Sequence, residues 1–426
     1  MTLDTSPKDT HMGNSHRSLI AWAFYDFATS IAVVVYLIYF SQWLVIDHHV
    51  ADLWYNLLFV GSSILLVATV PFTSVIADRL HHRMIFLRIT TLCQFAFFLG
   101  TGIVASYFPL NSLTIAVAAC LYLGSLYSHQ FALVFYNALL PDVARQNAIG
   151  AGSGWGQMSK SVGTVCGVLL SIPFAHGSFH ILGHSGRSQP FLPATVVSFV
   201  LTLPCLFQKE PAASNGIERT SRPGGYTRLF RELYQTPGVL YFLLGFFLFN
   251  DAVLTVQDNL PIYMQRVLAI SDKVKSLLIG MGLLAAALGA ILGGKLADKI
   301  GLKRSLLGVL GLWIALLPTL SAVRRVGPFG LISTLIGLTF GATWSISRAL
   351  MARLAPRNQL SHAFGYYSIV ERFSTLFGPL AWGIVVTVLA NRGPVRYSIA
   401  LLSMVAFIVL GLIMVIQVPA QRSDSL

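Results

Sequence analysis

The chain has 426 residues, of which 55% are hydrophobic and only 11% charged, and its formal net charge is +13. A soluble domain carries roughly 25% charged residues, so too few polar side chains remain here to cover a globule. With a mean hydropathy of +0.70, the composition excludes an ordinary soluble enzyme and identifies a chain whose solvent is lipid.

In chain order, residues 1–17 are polar and read as a cytoplasmic tail. The first apolar run, 18–46, is too long for the core of a cleavable secretory signal. Further apolar stretches follow at 53–77, 84–106, 112–138, 149–174, 191–207, 238–264, 274–297, 303–323, 329–351, 360–390 and 396–418. Each is close to the ~20 residues that cross a bilayer as a helix. The expected fold is therefore an all-α membrane protein with twelve transmembrane helices in two six-helix halves. The halves are 18–207 and 238–418, joined by a cytoplasmic linker at 208–237 and followed by a short tail at 419–426. Within the linker, the stretch 226–234 is amphipathic. Leu229, Phe230, Leu233 and Tyr234 suit a membrane surface, while Arg228 and Arg231 suit lipid headgroups.

The basic residues set the orientation. With the amino terminus inside, the inner segments hold most of them, including Arg79, Arg83, Arg88, Lys295, Lys299, Lys303, Arg304, Arg348, Arg353 and the linker arginines. The outer connections hold Arg187, Arg266, Lys273, Lys275, Arg324, Arg325, Arg392 and Arg396. This bias places both termini in the cytoplasm of a plasma membrane, the bacterial inner membrane, and removes any reason to infer a nucleic-acid partner.

The halves look like copies. The run from Asn137 to Gly167 aligns without gaps onto Arg348 to Gly378, pairing Asn147 with Asn358, Gly154 with Gly365 and Gly167 with Gly378. Near the start of each half, Asp26 falls opposite Asn250. Such internal symmetry is typical of duplicated transporters, whose site lies near the bilayer midplane.

Two loops carry a repeated motif. The first reads Ser74-Val-Ile-Ala-Asp78-Arg79-Leu-His-His-Arg83, and the second Gly294-Lys-Leu-Ala-Asp298-Lys299-Ile-Gly301-Leu-Lys303-Arg304. Both resemble the loop pattern of the major facilitator superfamily, although the first has Ser74 and His81 in the glycine positions. An aspartate there sits where a neighbouring helix amino terminus would favour its charge. The resemblance implies that Asp78, Arg79, Arg83, Asp298, Lys299, Lys303 and Arg304 form loops that latch the two halves. A narrower likeness lies in Trp22-Ala-Phe-Tyr25-Asp26, Phe135-Tyr-Asn137-Ala-Leu-Leu-Pro141-Asp142, Gly154-Trp155-Gly156-Gln157 and Phe249-Asn250-Asp251. These are similar to the vacuolar-effluxer-like branch, whose members implicated in amino-acid export imply that substrate class here.

Charged groups inside hydrocarbon cost at least ~2.5–3.5 kcal/mol each, so each one is a candidate functional residue. In the superfamily, spans one, four, seven and ten line the central cavity. Asp26 shares a helical face with Trp22, Thr29 and Tyr36, and Asp251 with Thr255 and Asp258. Lys160 and Glu371 are repeat equivalents of opposite sign, and Arg372 follows Glu371; they counter a substrate's charges or pair with one another. The candidate binding or proton-coupling residues are Asp26, Tyr25, Asn250, Asp251, Glu371, Lys160, Arg372, Trp155, Gln157 and Asn137. Arg348, opposite Asn137 in the repeat, reads as a snorkel at the cytoplasmic helix end, with the inner mouth of the cavity as the alternative. Two faces of small residues, Gly152/Gly156/Gly163/Gly167 and Gly282/Ala286/Gly289/Gly293, suit close helix approach; the superfamily resemblance, in which spans five and eight meet, implies that they form a moving interface.

The string from Gly150 to Gly156 lacks the strand and the Gly-Lys-Ser/Thr of a nucleotide loop. His176, His180 and His184 are interrupted by glycines, and the four cysteines lie apart from one another in apolar spans. No cofactor or metal is expected. The reading is a non-enzymatic secondary active transporter, a monomer that moves a small polar solute by alternating access with a coupling proton. The alternatives are a non-transporting sensor on the same fold or an integral-membrane lipid-modifying enzyme.

Overall fold

The computed structural model describes residues 7–50, 52–80, 82–144, 148–175, 179–180, 183–184, 186–208, 237–269, 272–356, 359–375 and 377–419. The linker and its amphipathic stretch at 226–234 lie outside the described residues, as does His176. Inside a bilayer a helix satisfies its own backbone polar groups, and the apolar runs accordingly fold as helices. They are α1 (Pro7–Gln42), α2 (Asp52–Leu80), α3 (Arg83–Tyr107), α4 (Ser112–Ala138), α5 (Ile149–Ala175) and α6 (Phe191–Leu206). Then come α7 (Pro237–Leu268), α8 (Asp272–Ile300), α9 (Leu302–Ala322), α10 (Val326–Leu354), α11 (Leu360–Phe373), α12 (Phe377–Val388) and α13 (Val395–Gln417). Among the described residues, ten stretches are long and apolar enough to cross a membrane, the pair α11–α12 counting as one. α5 and the 16-residue α6 stand at the two other expected positions.

The chain forms two compact units. Unit 1 is 1–145, 159–223 and 357–365; unit 2 is 146–158, 224–356 and 366–426. In unit 1, α1 packs on α6, α2 on α4, and α3 on both α4 and α6. In unit 2, α7 packs on α13, α8 on α10, and α9 on both α10 and α13. The same packing plan thus recurs, as the internal sequence likeness requires.

The core of unit 1 is aromatic. Tyr36 stacks on Phe98 and Phe191, and Phe40 packs tilted against Tyr122. The Tyr36 hydroxyl donates to the Phe98 carbonyl at 2.5 Å, and the Thr29 hydroxyl donates to the Tyr25 carbonyl at 2.9 Å. Both residues, placed beside Asp26 on one helical face as a binding stripe, instead spend their polar groups on the bundle itself. Buried hydroxyls need such partners.

In unit 2 the small residues of α8 pack differently from expectation. Gly282, Ala286 and Gly289 lie against the backbone of α10, where a Cβ at Gly337, Gly341 or Gly289 would strike the facing carbonyl. The neighbouring α8 strip at Ala290 and Gly294 takes the start of α5, at Gly154 and Gly150. The stripe therefore forms an α8–α10 seam, with the α5 contact beside it. Two helices lacking side chains at the contact approach until their backbones touch, and this close van der Waals packing replaces the hydrophobic drive that lipid cannot supply. Gly341→Ala is expected to force the seam apart and cost about 1–3 kcal/mol. Gly308→Ala, on an open face of α9, should be neutral or slightly stabilising. Thermal unfolding of the two detergent-purified variants checks this contrast.

Candidate functional site

Both motif aspartates serve helix amino termini. In unit 1, Asp78 is 3% exposed. Its carboxylate accepts the backbone N–H groups of Ser361 at 3.2 Å and His362 at 3.0 Å, in the first turn of α11. It also accepts Arg83 Nε at 2.9 Å, and Arg83 Nη1 donates to Asp142 at 3.0 Å. One buried guanidinium thus joins two carboxylates. In unit 2, Asp298 accepts Gly150 N–H at 2.8 Å and Ala151 N–H at 2.6 Å, at the start of α5. The first N–H groups of a helix lack partners within it and carry the positive end of its dipole, so a carboxylate there satisfies both needs.

The remaining motif residues divide by copy. Gly301 has φ of 98°, a left-handed conformation that favours glycine, and it opens α9. His81 at the corresponding place, and the Arg79 side chain, lie outside the described residues. Lys303 Nζ donates to the carbonyls of Ile416 and Val418 at the end of α13. Lys299 and Arg304 are exposed.

The densest polar cluster lies in unit 2, around a break in a helix. A single span was expected over 360–390, but the chain forms α11 and α12 with a turn at Ser374 and Thr375. Pro379 has no N–H to continue α11. The Gly378 N–H turns instead to Asp251 Oδ2 at 2.6 Å. Asp251 is wholly buried and its Oδ1 has no hydrogen bond. Gly378 is required here, since a Cβ would strike Thr255 Oγ1 and the Asp251 carboxylate. The preceding residue, Asn250, bridges two elements: its Nδ2 donates to Ser374 Oγ at 2.6 Å, and its Oδ1 accepts Trp344 Nε1 at 3.2 Å. Ser374 Oγ in turn donates to the Glu371 carbonyl at 2.9 Å.

One turn along α10 from Trp344, Arg348 Nη2 donates to Gln157 Oε1 at 2.9 Å. Arg348 is 7% exposed, so it is held inside the unit and does not snorkel; the buried amide of Gln157 supplies an acceptor close at hand. Tyr367 lies within electrostatic reach of both Arg348 and Glu371. A fixed cation, a carboxylate, two amides and aromatic rings are thereby gathered on α7, α10, α11 and the start of α5. Arg372 is half-buried, while Trp155 and Asp258 are exposed.

Unit 1 treats its candidates differently. Asp26 is 2% exposed and Asn137 is 7% exposed. Trp22 Nε1 donates to the Tyr136 carbonyl at 2.8 Å, and the two rings stack at 4.4 Å. The Tyr25 hydroxyl shares a 2.7 Å hydrogen bond with Thr91 Oγ1. These rings border a cavity of about 60 Å³ whose wall includes Met84, Asp142 and Cys205. Lys160 is half-buried in α5. The sequence reading favoured a snorkel for Arg348 and missed Ser374 and Gly378 as members of the polar cluster. The adjacent Gly378-Pro379 pair inside an apolar run was the available signal for the break.

Two duplicated helical units with paired motif loops define a transporter of the major facilitator type. Solved structures share this fold. The Escherichia coli fucose:proton symporter FucP has a TM-score of 0.76 at 12% identity, covering 96% of this chain and 100% of its own. A bacterial homologue of the iron transporter ferroportin has a TM-score of 0.73 at 13% identity, covering 95% and 98%. Residues 151–425, more than half of the chain, match the vacuole effluxer Atg22-like family, and the chain belongs to that family. An uncharacterized MFS-type transporter of Bacillus subtilis, YxiO, is 22% identical over 303 residues, 68% of each chain. Autophagy-related protein 22 of Pichia angusta is 25% identical over 177 residues, 38% of this chain and 32% of its own length. That of Yarrowia lipolytica is 26% identical over 211 residues, 46% and 34%. The matches thus span about a third of these fungal proteins.

Asp251→Ala should leave the Gly378 N–H unbonded within the bundle and cost about 1–3 kcal/mol. Asp251→Asn keeps an acceptor and should cost less. Hydrogen exchange across residues 377–388 distinguishes them: faster exchange confined to this helix in the alanine variant is the expected result.

Proposed function

We propose that this chain is a secondary active transporter that carries a small polar solute, an amino acid, by alternating access, with a proton as coupling ion. The observation that carries the reading is the broken helix α11–α12, with the buried Asp251 at its break beside the network of Asn250, Trp344, Ser374, Arg348 and Gln157. In membrane transporters, unwound helix segments expose backbone groups that bind solutes and ions near the midplane. Asp251 then works as a protonatable cap: ionised, it holds the first turn of α12; neutral, it releases that turn. Arg348 and Glu371 offer a zwitterion opposite charges within one unit, and Asn250 and Trp344 supply further donors and acceptors. Asp26, the repeat partner of Asn250, is the second candidate for proton binding. Tyr25, Asn137, Lys160, Trp155 and Arg372 are candidates for the solute's surroundings.

The motif loops are proposed as latches. Breaking the Asp78 contacts to Ser361 and His362, or the Asp298 contacts to Gly150 and Ala151, frees a helix amino terminus, as a change of state needs. The protein works as a monomer in a bacterial inner membrane, with both termini in the cytoplasm.

The test is counterflow of a labelled amino-acid mixture in proteoliposomes, with and without a proton gradient. Native protein should show saturable, gradient-driven flux. Asp251→Asn should retain exchange but lose the response to the gradient, and Arg348→Gln should raise the half-saturating concentration by tenfold or more. Solute binding without flux would favour the sensor, and absence of both would remove the amino-acid assignment.

A further inference from the structure

Unit 2 ends, opposite its Asp298 loop, in two short connections rich in arginine. The first joins α9 to α10 and carries Arg324 and Arg325; the second joins α12 to α13 and carries Arg392, with Arg396 in the first turn of α13. Neither connection holds an Asp or Glu. Among the described residues, ion pairs join only Arg83 to Asp78 and Asp142, and Arg187 to Asp47. Among the described residues, none of these four arginines therefore meets a carboxylate. On this side of Asp251, the unit's acidic residues are Asp258 and Asp272, against Arg266, Lys273, Lys275 and the four arginines.

Two of the four are held in place. Arg324 Nη1 donates to the Ser321 carbonyl at 2.5 Å and to that of Val323 at 3.3 Å. Its Nη2 reaches Ser398 Oγ at 3.4 Å, at the start of α13, where Arg396 also lies. The Arg396 guanidinium lies 5.0 Å from the Tyr397 ring centre, its Nη2 bonds the Tyr397 hydroxyl at 3.3 Å, and its Nε has no acceptor. Arg325 and Arg392 are exposed. A guanidinium anchored by carbonyls and hydroxyls still has donors to spare, and its planar fork suits phosphate oxygens.

The surroundings specify what bears that phosphate. Val326 and Leu331 follow Arg325 along α10, and Val388, Val395 and Ile399 flank Arg392 and Arg396; all five side chains are exposed apolar groups. A soluble anion has no use for such neighbours, whereas an acyl chain does. We propose that these arginines form a binding site for an anionic phospholipid. Its headgroup phosphate engages Arg324 and Arg396, and its chains lie along Val395, Ile399 and Leu331. The site is independent of the solute the protein carries. It also accounts for arginines placed against the usual charge bias of the expected outer connections.

The test uses full-length protein purified and stripped of lipid. Phosphatidylglycerol, phosphatidylcholine or inorganic phosphate is then added, and retained lipid is read by native mass spectrometry and stability by thermal unfolding. Native protein should retain phosphatidylglycerol in preference to phosphatidylcholine and melt higher with it, while inorganic phosphate has no effect. The Arg325→Gln/Arg392→Gln variant, altered only at exposed positions, and Arg324→Gln/Arg396→Gln should each bind phosphatidylglycerol more weakly, by about fivefold per arginine lost. Equal retention of the two lipids, a preference that survives loss of all four arginines, or stabilisation by inorganic phosphate equal to that by the lipid would each overturn the proposal. A fall in melting temperature with the lipid preference unchanged would mark the arginines as structural and overturn it as well.

Discussion

Hydrocarbon offers no water to satisfy a backbone N–H, so every helix end or break inside a bundle needs an acceptor from the chain itself. Aspartates supply it here at three places: Asp78 at Ser361 and His362, Asp298 at Gly150 and Ala151, and Asp251 at Gly378. In each case a negative charge that would be costly alone is matched to the positive end of a helix. Much of the polar architecture follows. The first two carboxylates anchor the starts of α11 and α5, and the third allows a helix to break and restart. Each contact ties parts of the chain more than a hundred residues apart.

Duplication explains why the caps come in pairs and why the chemistry around them differs. Both units follow one packing plan, with the third helix of each contacting the fourth and the last. On that shared frame, unit 1 gathers aromatic rings: Trp22 on Tyr136, and Tyr36 among Phe98 and Phe191. Unit 2 gathers amides, a buried guanidinium and a carboxylate about a helix break. Where unit 1 begins its repeat with Asp26, unit 2 has Asn250, and the carboxylate Asp251 comes one residue later. That displacement turns the charge toward α12. Packing and polar chemistry are thus separable: small residues such as Gly289 and Gly341 set how closely α8 and α10 approach, while the polar positions vary on top of the scaffold.

Membership of the vacuole effluxer Atg22-like family places the chain among transporters, and the likeness to a solved symporter shows a shared fold. The substrate is a property of a few side chains and not of the fold. The residues that bear on it in unit 2 come from α7, α10, α11 and the start of α5, which the chain visits far apart in sequence.

The amino-acid sequence by itself determined the membrane class, the positions of the apolar helices and the repeated motif loops. These depend on composition and on local runs of apolar residues, which a lipid solvent reads directly. It also marked Asp78, Asp298 and Asp251 as charges needing a partner. Tertiary structure alone decided what those partners are. No local pattern told that Gly378 would turn its N–H to Asp251, that Arg348 would sit inside against Gln157, or that the small face of α8 would be taken by α10. Hydrogen bonds and close backbone contacts are set by which helices become neighbours, and that choice belongs to the packed chain as a whole.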